Sequence, residues 1–270
     1  MARLMWNAIG ERYYETGVNR GVLYVDAQPG VPWNGLTGIT ENPSGGDAKP
    51  YFIDGVKYLN VPAEEDFAVK IEAFTYPNEF SQCDGTAVVF AGVSISQQRR
   101  KTFGLTYRTR IGNDVNGMQH GYKIHLIYGC LASPSDRAYN TVDEQADPIG
   151  FSWACTTTPV AVGNGLRPTA HIVIDSTKIT PQALQIVEDR LYGTDEKQSY
   201  LPSPAELFEL FTLSPGILFR LVLNVETGLS VLIPDAPGDL AATVTDGLYV
   251  LTADSHLTGG SVDGTYIWED

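Results

Sequence analysis

Cysteine is scarce in this chain, and the three present, Cys83, Cys130 and Cys155, stand at wide and irregular spacing. An odd number so placed fits neither a disulfide framework nor the paired spacing of zinc ligands, so the sequence predicts buried free thiols. Positive charge is also in short supply: 18 basic residues face 32 acidic ones, a formal charge of -14. A surface of that sign binds nucleic acid and anionic membrane poorly by itself. No stretch approaches the roughly 20 apolar residues of a membrane-spanning helix. The opening MARLMWNAIGERYYE has no apolar run of signal-peptide length. No phosphate-binding loop, dinucleotide fingerprint, nucleophile elbow or metalloprotease helix occurs. These absences predict a chain made in a reducing cytoplasm, with no membrane partner and no cofactor.

What the sequence has in quantity is strand pattern. FAVKIEAFT (67–75) alternates Phe67, Val69, Ile71 and Ala73 against Lys70 and Glu72, the period of a half-buried strand. TFGLTYRTRI (102–111) sets Phe103, Leu105, Tyr107 and Ile111 against Thr106, Arg108 and Arg110, and GYKIHLIYG (121–129) sets Tyr122, Ile124, Leu126 and Tyr128 against Lys123 and His125. The stretch between them begins with Gly, Asn and Asp, which accept left-handed backbone, so a β-hairpin with a long tip is predicted. Asp54-Gly55 inside YFIDGVKYL (51–59) is the strongest local signal for a two-residue hairpin turn. Further strands are predicted at 21–25, 150–157, 171–175, 217–225 and 229–233.

Two helices are legible. Thr180 is an N-cap followed by Pro181, and Leu184, Val187 and Leu191 recur at helical spacing until Gly193. Ser203, Pro204 and Glu206 form a capping box opening PAELFELF. The fold class predicted is mainly β: an antiparallel sandwich or partly closed barrel with one or two short helices on one side. Asp246-Gly247-Leu248-Tyr249 and Asp263-Gly264-Thr265-Tyr266 echo each other at a spacing of 17 residues, so 234–270 is read as a small C-terminal β appendage to a domain spanning 1–233.

Residues that could carry chemistry each have a plainer explanation. His120 and His125 are five apart, and an odd separation on a strand sends them to opposite faces, which argues against a shared metal. Asp114 to Gly117 begins like a calcium loop, yet the twelfth position is His125 rather than Glu. His171, Asp175 and Ser176 are triad residue types without a triad motif. The acidic runs Glu64-Glu65-Asp66 and Asp143-Glu144 have the composition of solvated loops. Catalytic and metal-ligating residues are accordingly predicted as none.

Near the start, Trp6, Arg12, Tyr13, Tyr14, Glu15, Arg20 and Tyr24 crowd together, with Trp33 close behind. Either this is an arm packed on its own domain, or it is a subunit contact, since Tyr, Trp and Arg concentrate at interface hot spots. Arg108, Arg110 and Lys123 are read as one basic face, meeting either a neighbour's carboxylates or an ion-pair partner within the same sheet.

WNAIGERYYETGVNRGVLY, VPWNGLTGITE, YFIDGVKYLN, FTYPNEF, FGLTYRTRIGND, HGYKIHLIYG, RPTAHIVIDSTKI and the later LPSPAELFELF together resemble the major tail protein, or tail tube subunit, of long-tailed phages of actinobacteria. The resemblance covers roughly residues 6 to 211. It implies a β-sandwich of the tail-tube type that forms stacked, typically hexameric rings around a channel for DNA, and it brings no catalytic residues. The implied partners are copies of itself and other tail proteins such as the tape measure and tail-end proteins, while DNA passes without sequence-specific binding. The implied location is the virion tail, assembled in the host cytoplasm. The alternative is a distal or minor tail protein that binds host cell-wall carbohydrate or an adhesin, with 14 tyrosines and four tryptophans available to stack on sugars. An envelope-degrading enzyme is disfavoured by the empty motif survey.

Overall fold

The computed structural model describes residues 5–26, 28–46, 48–141, 148–163 and 165–212, and the strand segments 219–223, 230–234, 242–245, 248–251, 257–261 and 266–268. In chain order the strands of the first part are β1 (Tyr13–Val25), β2 (Val31–Pro32), β3 (Leu36–Gly45), β4 (Ala48–Ile53), β5 (Val56–Pro62) and β6 (Glu65–Ala73). They continue with β7 (Ala87–Phe90), β8 (Val93–Ile95), β9 (Phe103–Asn113), β10 (Gly117–Ala132), β11 (Phe151–Thr156) and β12 (His171–Asp175). Helices α1 (Pro181–Tyr192) and α2 (Pro204–Thr212) follow. The remainder holds β13 (Phe219–Leu223), β14 (Ser230–Pro234), β15 (Ala242–Thr245), β16 (Leu248–Leu251), β17 (Leu257–Ser261) and β18 (Tyr266–Trp268).

The chain is mainly β and antiparallel with two short helices, as the patterning predicts. Its principal sheet runs β2-β1-β9-β10-β11-β6-β3, with β12 also on β10, and stays open rather than closing into a barrel. One layer is β2, β1, β9, β12 and the first part of β10; the other is β11, β6 and β3, joined to the far end of β10 at Leu131↔Thr156 and Ala132↔Cys155. Gly129 makes the join possible. Its φ is +60, a Cβ there would lie 2.5 Å from the carbonyl oxygen of Thr158, and the β9–β10 register shifts between Ile127 and Cys130. This is the geometry of a β-bulge, which turns a strand from one layer into the next.

Between the layers lies one core. Leu23, Phe103, Leu105, Tyr107 and Ile127 meet Val69, Ile71, Ala73, Trp153 and Cys155 there. Its centre is aromatic: Phe80 sits 4.7 Å from Trp33 and 5.0 Å from Trp153, in the tilted and edge-on arrangements that ring quadrupoles favour. Both indole N–H groups are satisfied, Trp33 by the carbonyl of Thr75 at 3.0 Å and Trp153 by Asp84 at 3.2 Å. Trp33 and Tyr24 therefore belong to the core and not to a surface cluster.

The other face of the first layer carries the helices. Thr180 caps α1 through Ala183 N–H at 3.3 Å, and Tyr24 donates to the carbonyl of Leu191 at 2.7 Å. Ser203 and Glu206 make the reciprocal capping box, at 2.7 and 3.3 Å. Asp54 and Gly55 both have positive φ, 49 and 79, between the paired Ile53 and Val56 of a type I′ turn. The β9–β10 tip is shorter than predicted, only Asp114 to Asn116, because Asn113 accepts from the N–H of Val115 and of Asn116 at 3.2 and 2.6 Å and closes the turn.

One expectation needs correcting. The first strand starts at Tyr13 rather than Gly21, and Tyr13, Tyr14 and Glu15 pair with Asn113, Gly112 and Ile111. Bulges between Thr16 and Val18 and between Asn19 and Val22 break the alternation that would have revealed it. The chain divides into two compact units, Met1–Phe208 and Glu209–Asp270. In the second unit β13 pairs β14, and β15 to β18 form a four-stranded meander. The Asp246-Gly247 and Asp263-Gly264 pairs of the echo lie outside the described residues. Asp143 and Glu144 also lie outside them.

Two stability predictions follow from this packing. Gly129→Ala combines an unfavourable φ with a backbone clash, and urea denaturation should show a loss of about 2 kcal/mol or more. All three thiols are buried; burial pushes Cys83 and Cys155 up to about 12 and Cys130 well above its ordinary value. A thiol reagent at pH 8 should therefore find no reactive cysteine in the native chain and three after denaturation.

Candidate functional site

Cross-strand pairing decides which side chains can share a face. In the β9–β10 register Tyr122 opposes Arg110, Ile124 opposes Arg108, and Lys123 opposes Thr109. Lys123 consequently lies on the opposite face from Arg108 and Arg110, and the three do not form one basic patch.

Each cation of that set has a distinct setting. Arg108 is on the helix side, with 14% of its side chain exposed, 3.5 Å from Glu188 of α1 and 3.2 Å from the Asn19 carbonyl oxygen of the side chain. Its guanidinium lies 4.2 Å over the Tyr122 ring, and the Tyr122 hydroxyl donates to Glu188 at 2.9 Å. Burial first, then the Glu188 carboxylate, raise the Tyr122 phenol. Arg108 thus has its ion-pair partner within the chain. Arg110 is exposed. Lys123 meets Glu15 at 2.5 Å.

The N-terminal candidates separate in the same way. Trp6 is 77% exposed, and Arg12 donates to the carbonyl of Asn7 at 3.0 and 3.1 Å while standing 3.9 Å from Asp114. Tyr13 packs at a tilt against His120, with ring centroids 5.2 Å apart. The ring of Tyr14 covers Gly112, where a Cβ would come within 2.3 Å of it. Arg20 adopts φ 48 and holds its guanidinium 5.7 Å over Tyr192. Tyr13, Tyr14 and Glu15 thus begin β1 and Arg20 lies within it, while Trp6 and Arg12 precede the strand.

On the inner face, at one end of the sandwich, the structure assembles a cluster that sequence reasoning did not find. His125 Nδ1 lies 3.2 Å from His171 Nε2 and 3.2 Å from Glu41 Oε1, and His171 Nε2 lies 3.6 Å from that same oxygen. These three residues come from β10, β12 and β3, so both layers contribute. The rings are nearly parallel, with Tyr107 stacked on His125 at 4.5 Å and Phe67 on His171 at 4.7 Å. Tyr107 donates to Glu41 Oε1 at 2.5 Å, and Thr109 donates to Glu15 at 2.5 Å while lying 3.1 Å from His125 Nε2.

Electrostatics here follow from burial. Desolvation holds both imidazoles below their ordinary value, against the pull of Glu41. For Glu15 burial acts upward, but hydrogen bonds from Lys123 and Thr109 outweigh it and hold the carboxyl below its ordinary value. Burial, followed by the Glu41 contact, raises the Tyr107 phenol. Neutral imidazoles beside a carboxylate are lone-pair donors, suited to holding a cation. His120, the only partner considered for His125 from the sequence, lies apart, beside Tyr13 and Asn116.

A second feature is apolar. β3 and β6 pair down to Gly45↔Glu65, and the ribbon continues through β4 and β5 as a separate two-stranded sheet. Every residue of β4 and β5 is exposed, including Phe52 at 60% and Tyr58 at 73%. The β7–β8 hairpin is likewise a two-stranded sheet of its own, and Val88, Phe90, Val93 and Ile95 are exposed on it.

No protein-family profile matches the sequence. No curated protein matches it either.

The ion-pair geometry predicts a split between the two arginines. Arg108→Glu sets a carboxylate against Glu188 in a mostly buried position and should cost about 3 kcal/mol in urea unfolding. Arg110→Glu, on the exposed side chain, should change stability by no more than roughly 0.5 kcal/mol.

Proposed function

We propose that this chain is a structural subunit that assembles with copies of itself into the stacked rings of a phage tail tube. The observation that carries the reading is the pair of apolar hairpins. An isolated two-stranded hairpin is marginal in water, and large apolar side chains in contact with one another on a surface mark an interaction site. Tyr51 and Ile53 alternate with Phe52 along β4, so apolar groups project from both faces of that ribbon.

This distribution bears on the kind of assembly. A patch on one face is suited to a closed dimer. A ribbon that is apolar on both faces is suited to lodging between neighbours, and two separate hairpins supply the unlike contacts needed for rings and stacks. The formal charge of -14 supports a channel role, since carboxylates facing a bore repel phosphates and let a duplex slide. The sequence resemblance to tail tube subunits points the same way.

The test is assembly of purified protein followed by size-exclusion chromatography and negative-stain imaging. Wild type should form rings or tubes as concentration rises. The double substitution Phe52→Asp, Tyr58→Asp should leave a folded monomer with an unchanged circular dichroism spectrum. A wild type that stays monomeric at every concentration, or a variant that assembles normally, would refute the proposal. Antibody labelling of virions at one tail end, rather than along the tail, would support the distal role instead.

A further inference from the structure

The cluster of Glu41, His125 and His171 is more than a polar contact, as its proton inventory indicates. Thr109 gives its hydroxyl proton to Glu15, which leaves its oxygen to accept from His125 Nε2–H. His125 Nδ1 is then a bare lone pair. It faces His171 Nε2 at 3.2 Å and Glu41 Oε1 at 3.2 Å. A proton on His171 Nε2 satisfies the first contact and leaves the second as one lone pair against another. A cation at the centre satisfies all three donors at once.

The spacing fits a metal ion. Zn2+ bonds nitrogen and carboxylate oxygen at about 2.0 to 2.2 Å, so adjacent ligands of a tetrahedral site stand roughly 3.3 Å apart. The three separations here are 3.2, 3.2 and 3.6 Å. All three atoms lie within 4.8 Å of one another. Support around the ligands is in place too: Thr109 and Glu15 stand behind His125 Nε2, and Tyr107 bonds the Glu41 oxygen. Such outer contacts orient a metal-binding imidazole and carboxylate. One flank is open, because His171 and Glu41 keep 16% and 34% of their side chains exposed, while His125 keeps 8%.

We propose that Glu41, His125 and His171 bind a first-row divalent cation such as Zn2+, with the fourth position open to water. The ion would join β3 of one layer to β10 and β12 of the other. This site departs from the absence of metal ligands expected from the sequence, and it does not rest on the assembly reading.

The test uses the full chain, stripped with chelator and titrated with ZnCl2 by calorimetry. One equivalent should bind and raise the melting temperature. His171→Gln and Glu41→Gln should each weaken binding at least tenfold and abolish the thermal shift, whereas His120→Gln should change neither. Since Glu41→Gln also alters the Tyr107 contact, Co2+ added to the unaltered chain gives a second readout. Intense visible absorption of a four-coordinate ion is expected. Absence of saturable binding at one equivalent, unchanged affinity in His171→Gln, or the weak spectrum of hydrated Co2+ would each overturn the proposal.

Discussion

The bend at Gly129 is the constraint on which the rest of the first unit depends. Among the described residues β10 alone pairs into both layers, first with β9 and β12 and then, past the bulge, with β11. Without a residue tolerant of φ +60 at that point, the strand would continue in the plane of β9, and a side chain would collide with the carbonyl of Thr158. Folding the ribbon here brings β3, β6 and β11 over the inner face of β9. The core of Phe80, Trp33 and Trp153 fills the resulting gap. Because the same strand has helix α1 on its other side, β10 is buried on both faces from Ile124 to Tyr128.

That double burial explains what the sequence disclosed and what it concealed. Features specified by neighbours in the chain were legible: both helix caps, the Asp54-Gly55 turn, and the alternation of β6. β3 was not, because TGITENPSG contains few strand-favouring residues; Pro43 is tolerated there since β3 is an edge strand, paired only with β6. The first half of β1 was concealed by its bulges. On β10 the alternation sets Ile124 and Leu126 against His125, and both rows are inside. The Glu41–His125–His171 cluster had no local signature at all. Its members are 84 and 46 residues apart in sequence, so only knowledge of which strands stack could have joined them. The one hint was polar residues alternating with apolar ones on a strand destined for the middle of a sheet.

Charge and apolar surface divide the tasks of folding and association. The cations that looked available for a neighbour are largely engaged at home, Arg108 with Glu188 and Lys123 with Glu15. What β4–β5 and β7–β8 turn outward is rich in large apolar side chains, Phe52, Tyr58, Val88 and Phe90 among them. Burying one large apolar side chain yields roughly 1.5–3 kcal/mol, while association costs on the order of 4–15 kcal/mol in lost freedom and side-chain ordering. One face of one hairpin, with two or three such side chains, barely offsets that cost. Contact on both faces, repeated around a closed ring, exceeds it comfortably.

The polar cluster and the apolar ribbon meet in β3. Glu41 lies on that strand four residues before Gly45, where the pairing with β6 ends and the ribbon passes into β4 and β5. Glycines at 45 and 46, both with positive φ, make that junction a natural place for bending. A lever is only as fixed as its root. Through Tyr107, His125 and His171 the Glu41 carboxylate ties the root to the opposite layer, so the direction of the ribbon is set by contacts made inside the sandwich. Loosening that tie would not expose the aromatic core, which is centred on Phe80 and held independently by its own packing. It would instead widen the range of angles available to the ribbon and so raise the entropy lost when a neighbour captures it. In the assembly proposed above, the carboxylate–imidazole contacts would therefore act on association through the freedom of the strand that carries the apolar surface, without touching the partner.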